Sequence, residues 1–281
     1  MSATDSEWNQ LITVVPDNYH KYAATKEEQS AGPNVTNEAV KLIAGVAGTM
    51  FPLGWLLLGG LAVKSIYDAV NKARSSGLDM TPLTLSEAKL LSFPPGHPMP
   101  KVVYCRHPAN ASLYYPLASF HRHVFEHKFA EAVKLLGVLG AREISVKHLK
   151  GWSRDFAAEI SSPIPTSSAP AQVGVTASAH SESGESVLFK ATLKGSDNPR
   201  LIESPTWLPH ESMWQTIADL RIECGLQEFS LSLNYEEDYQ VNASLNAKIK
   251  DLGFDVGGKF EDHVSTIWTM NGIFGVNANA M

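Results

Sequence analysis

The chain has 281 residues, of which 44% are hydrophobic and 19% charged, and this composition is typical of a folded protein with a sizeable core. Its formal net charge of −6 disfavours nucleic-acid binding, which needs a basic surface, so we expect no nucleic-acid partner. Two cysteines, Cys105 and Cys224, are too few for a disulfide framework.

Residues 1–35 are predicted to form a polar arm with one short amphipathic stretch that Pro16 stops. Thr36, Asn37 and Glu38 then supply a helix cap and an acidic first turn, so a helical module is predicted over 36–93. The N-terminus has no basic region followed by an apolar one. We therefore expect no cleaved signal peptide, and a C-terminal part that stays in the cytosol.

An uncharged segment of 22 residues runs from Leu42 to Val63. A straight helix of this length, at ~1.5 Å per residue, would cover the ~30 Å hydrocarbon core of a bilayer. Pro52 at its centre opposes insertion, because proline removes a backbone donor and kinks a helix. The segment therefore predicts conditional insertion, as a kinked span or as a hairpin turning at 51–54; the alternative is a buried core helix. The residues expected to insert are Leu42, Ile43, Phe51, Pro52, Trp55, Leu56, Leu57, Leu58 and Leu61.

Beyond this segment the helix is predicted to continue to Gly77, a natural residue for ending a helix, and a short helix over 85–91 follows. Residues 94–100, PPGHPMP, are predicted to form a stiff connector at a domain boundary.

The remaining chain, 101–281, predicts an α+β domain built from two helix–strand–hairpin units on a largely antiparallel sheet. An amphipathic helix is expected over 119–139, and a mobile Ser/Pro-rich loop over 161–171. Gly140 and Gly225 each open a similar short run, which suggests an internal duplication. The last part of the chain, including YQVNASLNAKI at 239–249, is predicted to be a β-meander.

Histidines cluster on the helix predicted at 119–139. His123, His127 and Glu131 are spaced by four residues and share one face, which could ligate a metal. That face is expected to be the solvent side, and no HExxH motif is present, so no metal is predicted. Its alternative role is to meet anionic lipid headgroups. The residues assigned to that role are His121, Arg122, His123, His127 and Lys128.

Motifs for catalysis are weak. GFDVGGKF resembles a phosphate-binding loop through Gly253, Gly258 and Lys259, but Phe260 stands where Ser or Thr would hold Mg²⁺, so a glycine turn between strands is predicted. Cys105 and His107 share a strand face without a third group to orient them. We therefore predict no catalytic residue and no cofactor. A hydrolase or metal enzyme using the histidines between 97 and 127 is a weaker hypothesis.

Taken together, these features predict a membrane-associated, non-enzymatic protein. The class expected is a toxin-like, pore-forming or defence effector that is soluble before insertion and whose partners are the lipid bilayer and further copies of itself. The alternative is a soluble binding or scaffold protein that buries the 42–63 segment in its core or in an oligomer interface.

Overall fold

The structure is a computed structural model that describes residues 11–30, 61–152 and 187–275. Within these ranges it contains eight strands and six α-helices, numbered here in chain order. The strands are β1 Leu11–Val15, β2 Met80–Thr84, β3 Val103–His107, β4 Asn110–Pro116, β5 Ala141–Lys150, β6 Val187–Thr192, β7 Glu228–Tyr235 and β8 Thr266–Phe274. The helices are α1 Tyr19–Ser30, α2 Leu61–Ser75, α3 Leu85–Ala88, α4 Phe120–Val138, α5 Ser212–Cys224 and α6 Ala243–Asp251.

The chain divides into two compact units whose sequences interleave. The first unit contains residues 1–120 and 242–260, and the second contains 121–241 and 261–281. Residues 94–100 therefore belong to the first unit together with the strands on either side of them.

The first unit contains a four-stranded sheet in the order β2-β1-β3-β4. β1 pairs in parallel with β2 and antiparallel with β3, which in turn pairs antiparallel with β4. All five residues of β1 are buried, because the strand lies between two neighbours in the sheet and its side chains enter the core on both faces. Ile12, Val14, Tyr104 and Tyr114 form the centre of that core.

The proline-rich stretch at 94–100 is tied to the sheet by a tyrosine. The buried hydroxyl of Tyr104 lies 2.7 Å from His97 Nδ1 and accepts a hydrogen bond of 2.6 Å from the Met99 backbone N–H. Phe93 packs edge-on against the same ring, with the ring centroids 5.0 Å apart. Burial raises the pKa of Tyr104 to about 12, so the hydroxyl stays protonated at neutral pH.

The second unit contains an antiparallel sheet in the order β6-β5-β8-β7. Residues of β7 alternate strictly between exposed and buried, as expected for a sheet with one face in the core. Helix α4 packs on the buried face through aromatic contacts. Phe125 meets Trp268 edge-on at a centroid distance of 4.7 Å, and Phe129 contacts the same indole at 5.5 Å.

The predicted α+β class is confirmed, since helices and antiparallel-rich sheets are both present. The helical module predicted over 36–93 is not confirmed in its detail, because Met80–Thr84 is a strand. Within the predicted polar arm, Leu11–Val15 is a buried strand of the first sheet. The β-meander at the end of the chain is wrong over Ala243–Asp251, which is helix α6. Its N-cap, Asn242, accepts a hydrogen bond of 3.1 Å from the Leu245 N–H and stabilises the first turn.

Both predicted helix–strand pairs are present. α4 leads through Gly140 into β5, and α5 leads through Gly225 into β7; both glycines have positive φ, at 93° and 71°. The two strands lie on either side of β8. The proposed duplication itself stays a prediction.

Other predictions lie outside the described residues. They are the mobile loop at 161–171 and residues 42–60 of the uncharged segment. Among the helices that the structure does describe, none has the length and apolar character needed to span a bilayer.

Candidate anion-binding groove

Helix α2 presents a lysine-rich face because its sequence is amphipathic. Val63, Ile66 and Val70 recur at helical spacing and are buried in the first unit. Lys64 and Lys72 stand two turns apart on the opposite, exposed face. The helix therefore anchors itself through one side and offers charge on the other.

The end of α2 is fixed by a glycine. Gly77 has φ 72°, its N–H donates to Arg74 O at 3.0 Å, and the Leu78 N–H donates to Ala73 O at 3.0 Å. This pair of bonds is the Schellman arrangement, which requires a left-handed residue at that position. The predicted helix end at Gly77 is thereby confirmed.

Helix α6 ends in the same way beside α2. Gly253 has φ 85°, and the N–H groups of Gly253 and Phe254 donate to Lys250 O and Ile249 O. Two lysines then link the helix ends: Lys248 Nζ donates to Ser76 O at 2.9 Å, and Lys72 Nζ donates to Asp251 O at 3.3 Å. A cation beside the last carbonyls of a helix also meets the negative end of its dipole.

Lys101 is held in an uncommon backbone conformation. Its φ is 65°, in the left-handed region that residues other than glycine rarely adopt. The backbone is fixed on both sides, because the Lys101 N–H donates to Val14 O at 2.9 Å and its carbonyl accepts from the Asp255 N–H at 3.1 Å. Such strain persists only where the surroundings enforce it, and it is concentrated at functional sites.

These elements line an open groove of about 470 Å³. A second hollow of about 370 Å³ adjoins it and shares Lys101 and Gly253. We call the two hollows together the basic groove. The side chains lining the two hollows include four lysines and two aspartates: Lys64, Lys72, Lys101, Lys250, Asp68 and Asp255.

The local charge of the basic groove opposes that of the whole chain, whose formal net charge is −6. Of its two carboxylates, Asp255 is already engaged, since its Oδ1 accepts a hydrogen bond of 2.9 Å from the Gly257 N–H. Lys64 and Lys250 are exposed. The arrangement suits an anionic group such as a phosphate, which lysines bind as point charges without fixed geometry.

The phosphate-loop resemblance of Gly253–Phe260 is not supported by the backbone around it. Residues 252–265 form a connection between α6 and β8, so no helix follows Lys259 to present its N-terminus to phosphate. Gly257 has φ 83°, and a Cβ there would meet Pro116 and Val102, so this glycine serves close packing. The predicted turn joins a helix to a strand rather than two strands.

The predicted headgroup-binding face of α4 is wrong for two of its five residues. His121 is fully buried and Lys128 is 6% exposed, whereas Arg122, His123 and His127 are half-buried. Lys128 Nζ donates to Asn234 O at 2.8 Å and pairs with Glu211. The five side chains therefore do not form one exposed surface.

The side chains of α4 that could ligate a metal have other hydrogen-bond partners in the structure. The Glu131 carboxylate accepts three backbone hydrogen bonds, from the N–H groups of Thr206, Trp207 and Leu208, at 2.9, 2.7 and 2.9 Å. His123 Nδ1 lies 3.2 Å from Glu126 Oε2. Across 11–30, 61–152 and 187–275, no three His, Cys, Asp or Glu side chains are grouped to hold a metal.

Cys105 and His107 do not form a nucleophile pair. Both are buried, and burial raises the pKa of the Cys105 thiol to about 12, so the thiolate needed for attack is not formed at neutral pH. His107 Nδ1 accepts a hydrogen bond of 3.1 Å from the Ala109 N–H.

Lys64 directly follows the uncharged segment and Lys72 lies two turns further along the same helix, but no sequence pattern joins them to Lys101 and Lys250. Lys250 comes directly after residues 239–249, which were predicted as a strand, and no local pattern marks the left-handed backbone of Lys101. Comparison with protein-family models, with curated proteins and with solved structures finds no match to this chain.

Proposed function

We propose that the protein binds membranes whose surface is anionic, through lipid headgroups held in the basic groove, and that the 42–63 segment then enters the bilayer. The observation that carries the proposal is the position of the lysines. Helix α2 begins at Leu61, at the end of the uncharged segment, and its exposed face adds Lys64 and Lys72 to Lys101 and Lys250. Basic residues next to a hydrophobic segment are attracted to anionic lipids by about 1 kcal/mol each.

The two parts of the proposal supply different contributions. Electrostatic attraction brings the protein to the surface but is screened by salt within roughly 10 Å. Apolar burial of the 42–63 segment supplies the attachment that salt does not remove. A weak segment and a weak charge cluster together bind a membrane that neither would hold alone. A toxin-like or defence effector, self-associating after insertion, remains the class that we propose.

Vesicle flotation of the full chain tests the surface contact. We expect wild type to float with vesicles containing phosphatidylserine and to stay in solution with pure phosphatidylcholine. The double variant Lys64→Glu/Lys250→Glu should bind at least roughly thirtyfold more weakly, since two favourable contacts of about 1 kcal/mol each are lost. Both lysines are exposed and make no contact that the fold requires, so the variant should fold normally.

A matched control makes the same change in net charge elsewhere. Lys134→Glu/Lys194→Glu alters two exposed lysines of the second unit. Equal loss of flotation in both double variants would show that net charge alone governs binding and would contradict a groove-specific contact.

The variant Leu57→Arg tests insertion of the 42–63 segment. A charge in a lipid-exposed helix costs about 2.5–3.5 kcal/mol, so the variant should lose salt-resistant flotation while the protein stays folded.

One observation favours the alternative of a soluble binding protein. Val63, the last residue of the uncharged segment, is 1% exposed and packs inside the first unit. If more of the segment packs in this way, the basic groove would serve a soluble anion. In that case wild type would not float with any vesicle, and Leu57→Arg would unfold the protein.

A further inference from the structure

A pair of neighbouring histidines, one buried and one half-buried, lies in the second unit, and neither of them lines the basic groove. His121, in the first turn of α4, is fully buried. Its Nδ1 lies 2.7 Å from the Tyr235 hydroxyl and its Nε2 lies 2.5 Å from the Val241 carbonyl oxygen. The imidazole of His263 stands beside it, with the ring centroids 5.1 Å apart. We call His121, Tyr235 and His263 the histidine cluster.

The hydrogen bonds of His121 select its neutral form. A backbone carbonyl can only accept, so Nε2 must carry the hydrogen that is donated to Val241. Nδ1 is then the acceptor, and the Tyr235 hydroxyl donates to it. A second proton on Nδ1 would force the Tyr235 hydroxyl to accept from His121 instead of donating to it, and would create a charge in the interior. The structure therefore satisfies neutral His121 completely and charged His121 poorly.

His263 adds to this cost. Its Nε2 is buried and has no hydrogen-bond partner, and its ring lies 5.5 Å from that of Tyr235. Burial lowers the pKa of both imidazoles, that of His121 to about 4, and a charge on His263 lowers the pKa of His121 further. In the unfolded chain both would titrate near 6.5.

Other titratable groups face the cluster from neighbouring segments. Asp238 and Asp262 raise the pKa of both histidines, but less than burial lowers it. Lys150 of β5 lowers the pKa of His263 further. Tyr239, whose ring lies 5.9 Å from that of Tyr235, has a pKa raised by burial and stays neutral. The carboxylates reduce the cost of a charged histidine without removing it.

The contacts of His121 join three stretches of the second unit: the first turn of α4, residues 235–241 and residues 261–263. One set of contacts thus ties together three chain segments that are far apart in sequence.

We propose that the histidine cluster is an acid-sensitive latch that holds these three segments while His121 is neutral and releases them when the histidines are protonated. Protonation removes Nδ1 as the acceptor of the Tyr235 hydroxyl hydrogen, and the charged imidazoles then favour states in which water reaches them. The latch is a property of the second unit and does not depend on membrane binding by the basic groove.

Amide hydrogen exchange and tryptophan fluorescence of the full chain test the latch between pH 8 and pH 4. Trp152 stacks on Tyr235 at a centroid distance of 5.7 Å, so its emission reports on the cluster. We expect wild type to show increased exchange in peptides covering 235–245, together with a change in emission, at a midpoint between about 4 and 6.5.

Two variants of the cluster give opposite expectations. His121→Gln keeps one donor and one acceptor but cannot be charged, so its transition should move at least one pH unit lower or disappear. Tyr235→Phe removes the donor to Nδ1, which makes protonation easier, so its midpoint should move higher. His127→Gln is the matched control: burial also lowers the pKa of this histidine, which lies six residues further along the chain. Its transition should match that of wild type.

The latch is overturned if wild type shows no transition above pH 4, or if His121→Gln has the wild-type midpoint. Should His121→Gln fail to fold at pH 8, Tyr235→Phe decides. An unchanged midpoint in that variant would also overturn the proposal, because the hydroxyl would then have no influence on protonation.

Discussion

At the scale of single residues, a buried arginine places the strictest requirement on the fold, because its charged group needs hydrogen-bond partners in the interior. Arg221 of α5 is fully buried, and its guanidinium donates to three backbone carbonyls: Leu139 O, Leu226 O and Gly275 O, at 3.0, 2.9 and 2.8 Å. It also lies 4.9 Å from the centre of the Phe274 ring. The planar fork can reach three carbonyls that a shorter or more flexible group cannot satisfy together.

We expect Arg221→Met to lower the free energy of unfolding by about 2–4 kcal/mol, because three buried carbonyls lose their donor while the apolar volume is retained. Arg221→Lys should fall between this variant and wild type, since one ammonium can satisfy only part of the set. Urea unfolding followed by circular dichroism measures both. Equal stability of Arg221→Met and wild type would show that water replaces the guanidinium.

Residue-level prediction from sequence failed where one side chain could belong to either face of a helix. His121 precedes Phe125 by four residues, so it lies on the same helical stripe as that buried ring. Lys128 follows Phe125 by three and is also buried. The spacing therefore contained the signal, but the charge of these side chains directed the prediction toward solvent. Their partners, Tyr235 and Asn234, are too distant in sequence to be foreseen.

At the scale of elements, strong periodicity was predicted well. The predicted helix at 119–139 became Phe120–Val138, and the alternating runs at the second sheet became strands. Residues 239–249 were ambiguous, because Val241, Leu245 and Ile249 suit a strand at period two and also a helix at spacing four. The Asn242 cap and the alanines that follow it decided for the helix. β1 was missed because its sequence LITVV, with four apolar residues and one threonine, shows no alternation of apolar and polar positions.

Two glycines test how tightly the elements pack. Gly272 of β8 has no room for a side chain: a Cβ there would overlap the Glu143 carbonyl oxygen of β5, which the paired strand cannot move. Gly137 of α4 faces open space. We expect Gly272→Ala to destabilise the protein by about 1–3 kcal/mol or more, and Gly137→Ala to stabilise it by about 0.5–1 kcal/mol.

The midpoint of thermal unfolding measures both glycine variants, with wild type as the reference. The two substitutions add the same methyl group, so they differ only in what surrounds it. Destabilisation by Gly137→Ala would mean that helix propensity does not limit α4, and tolerance of Gly272→Ala would mean that β5 and β8 can separate locally.

At the scale of the whole molecule, the interleaved units show what a linear prediction cannot supply. Residues 242–260 belong to the first unit although they follow 121–241, which belong to the second, so α6 lines the basic groove together with α2. Composition marks linkers in sequence, such as the prolines at 94–100, but it does not show which distant segments share a core. Lys101 and Lys250 therefore line the same hollow, although the sequence around neither lysine predicts it.

Net charge and the latch make separable predictions for membrane binding. The formal charge is −6 at pH 7 and the isoelectric point is near 5.9, so acidification to pH 5 removes the repulsion between the whole chain and an anionic vesicle. We expect wild-type flotation with phosphatidylserine vesicles to increase from pH 7 to pH 5. Unchanged or weaker flotation at pH 5 would contradict electrostatic binding through the basic groove.

His121→Gln separates the two causes, because its net charge differs from that of wild type by no more than one proton at either pH. If the variant gains flotation on acidification as wild type does, net charge and the basic groove account for the response, and the latch acts on something other than membrane binding. If the variant binds at pH 7 but gains nothing at pH 5, opening of the second unit is what admits the 42–63 segment to the bilayer. The salt resistance of the bound fraction identifies that step, since apolar attachment survives salt that screens the lysines.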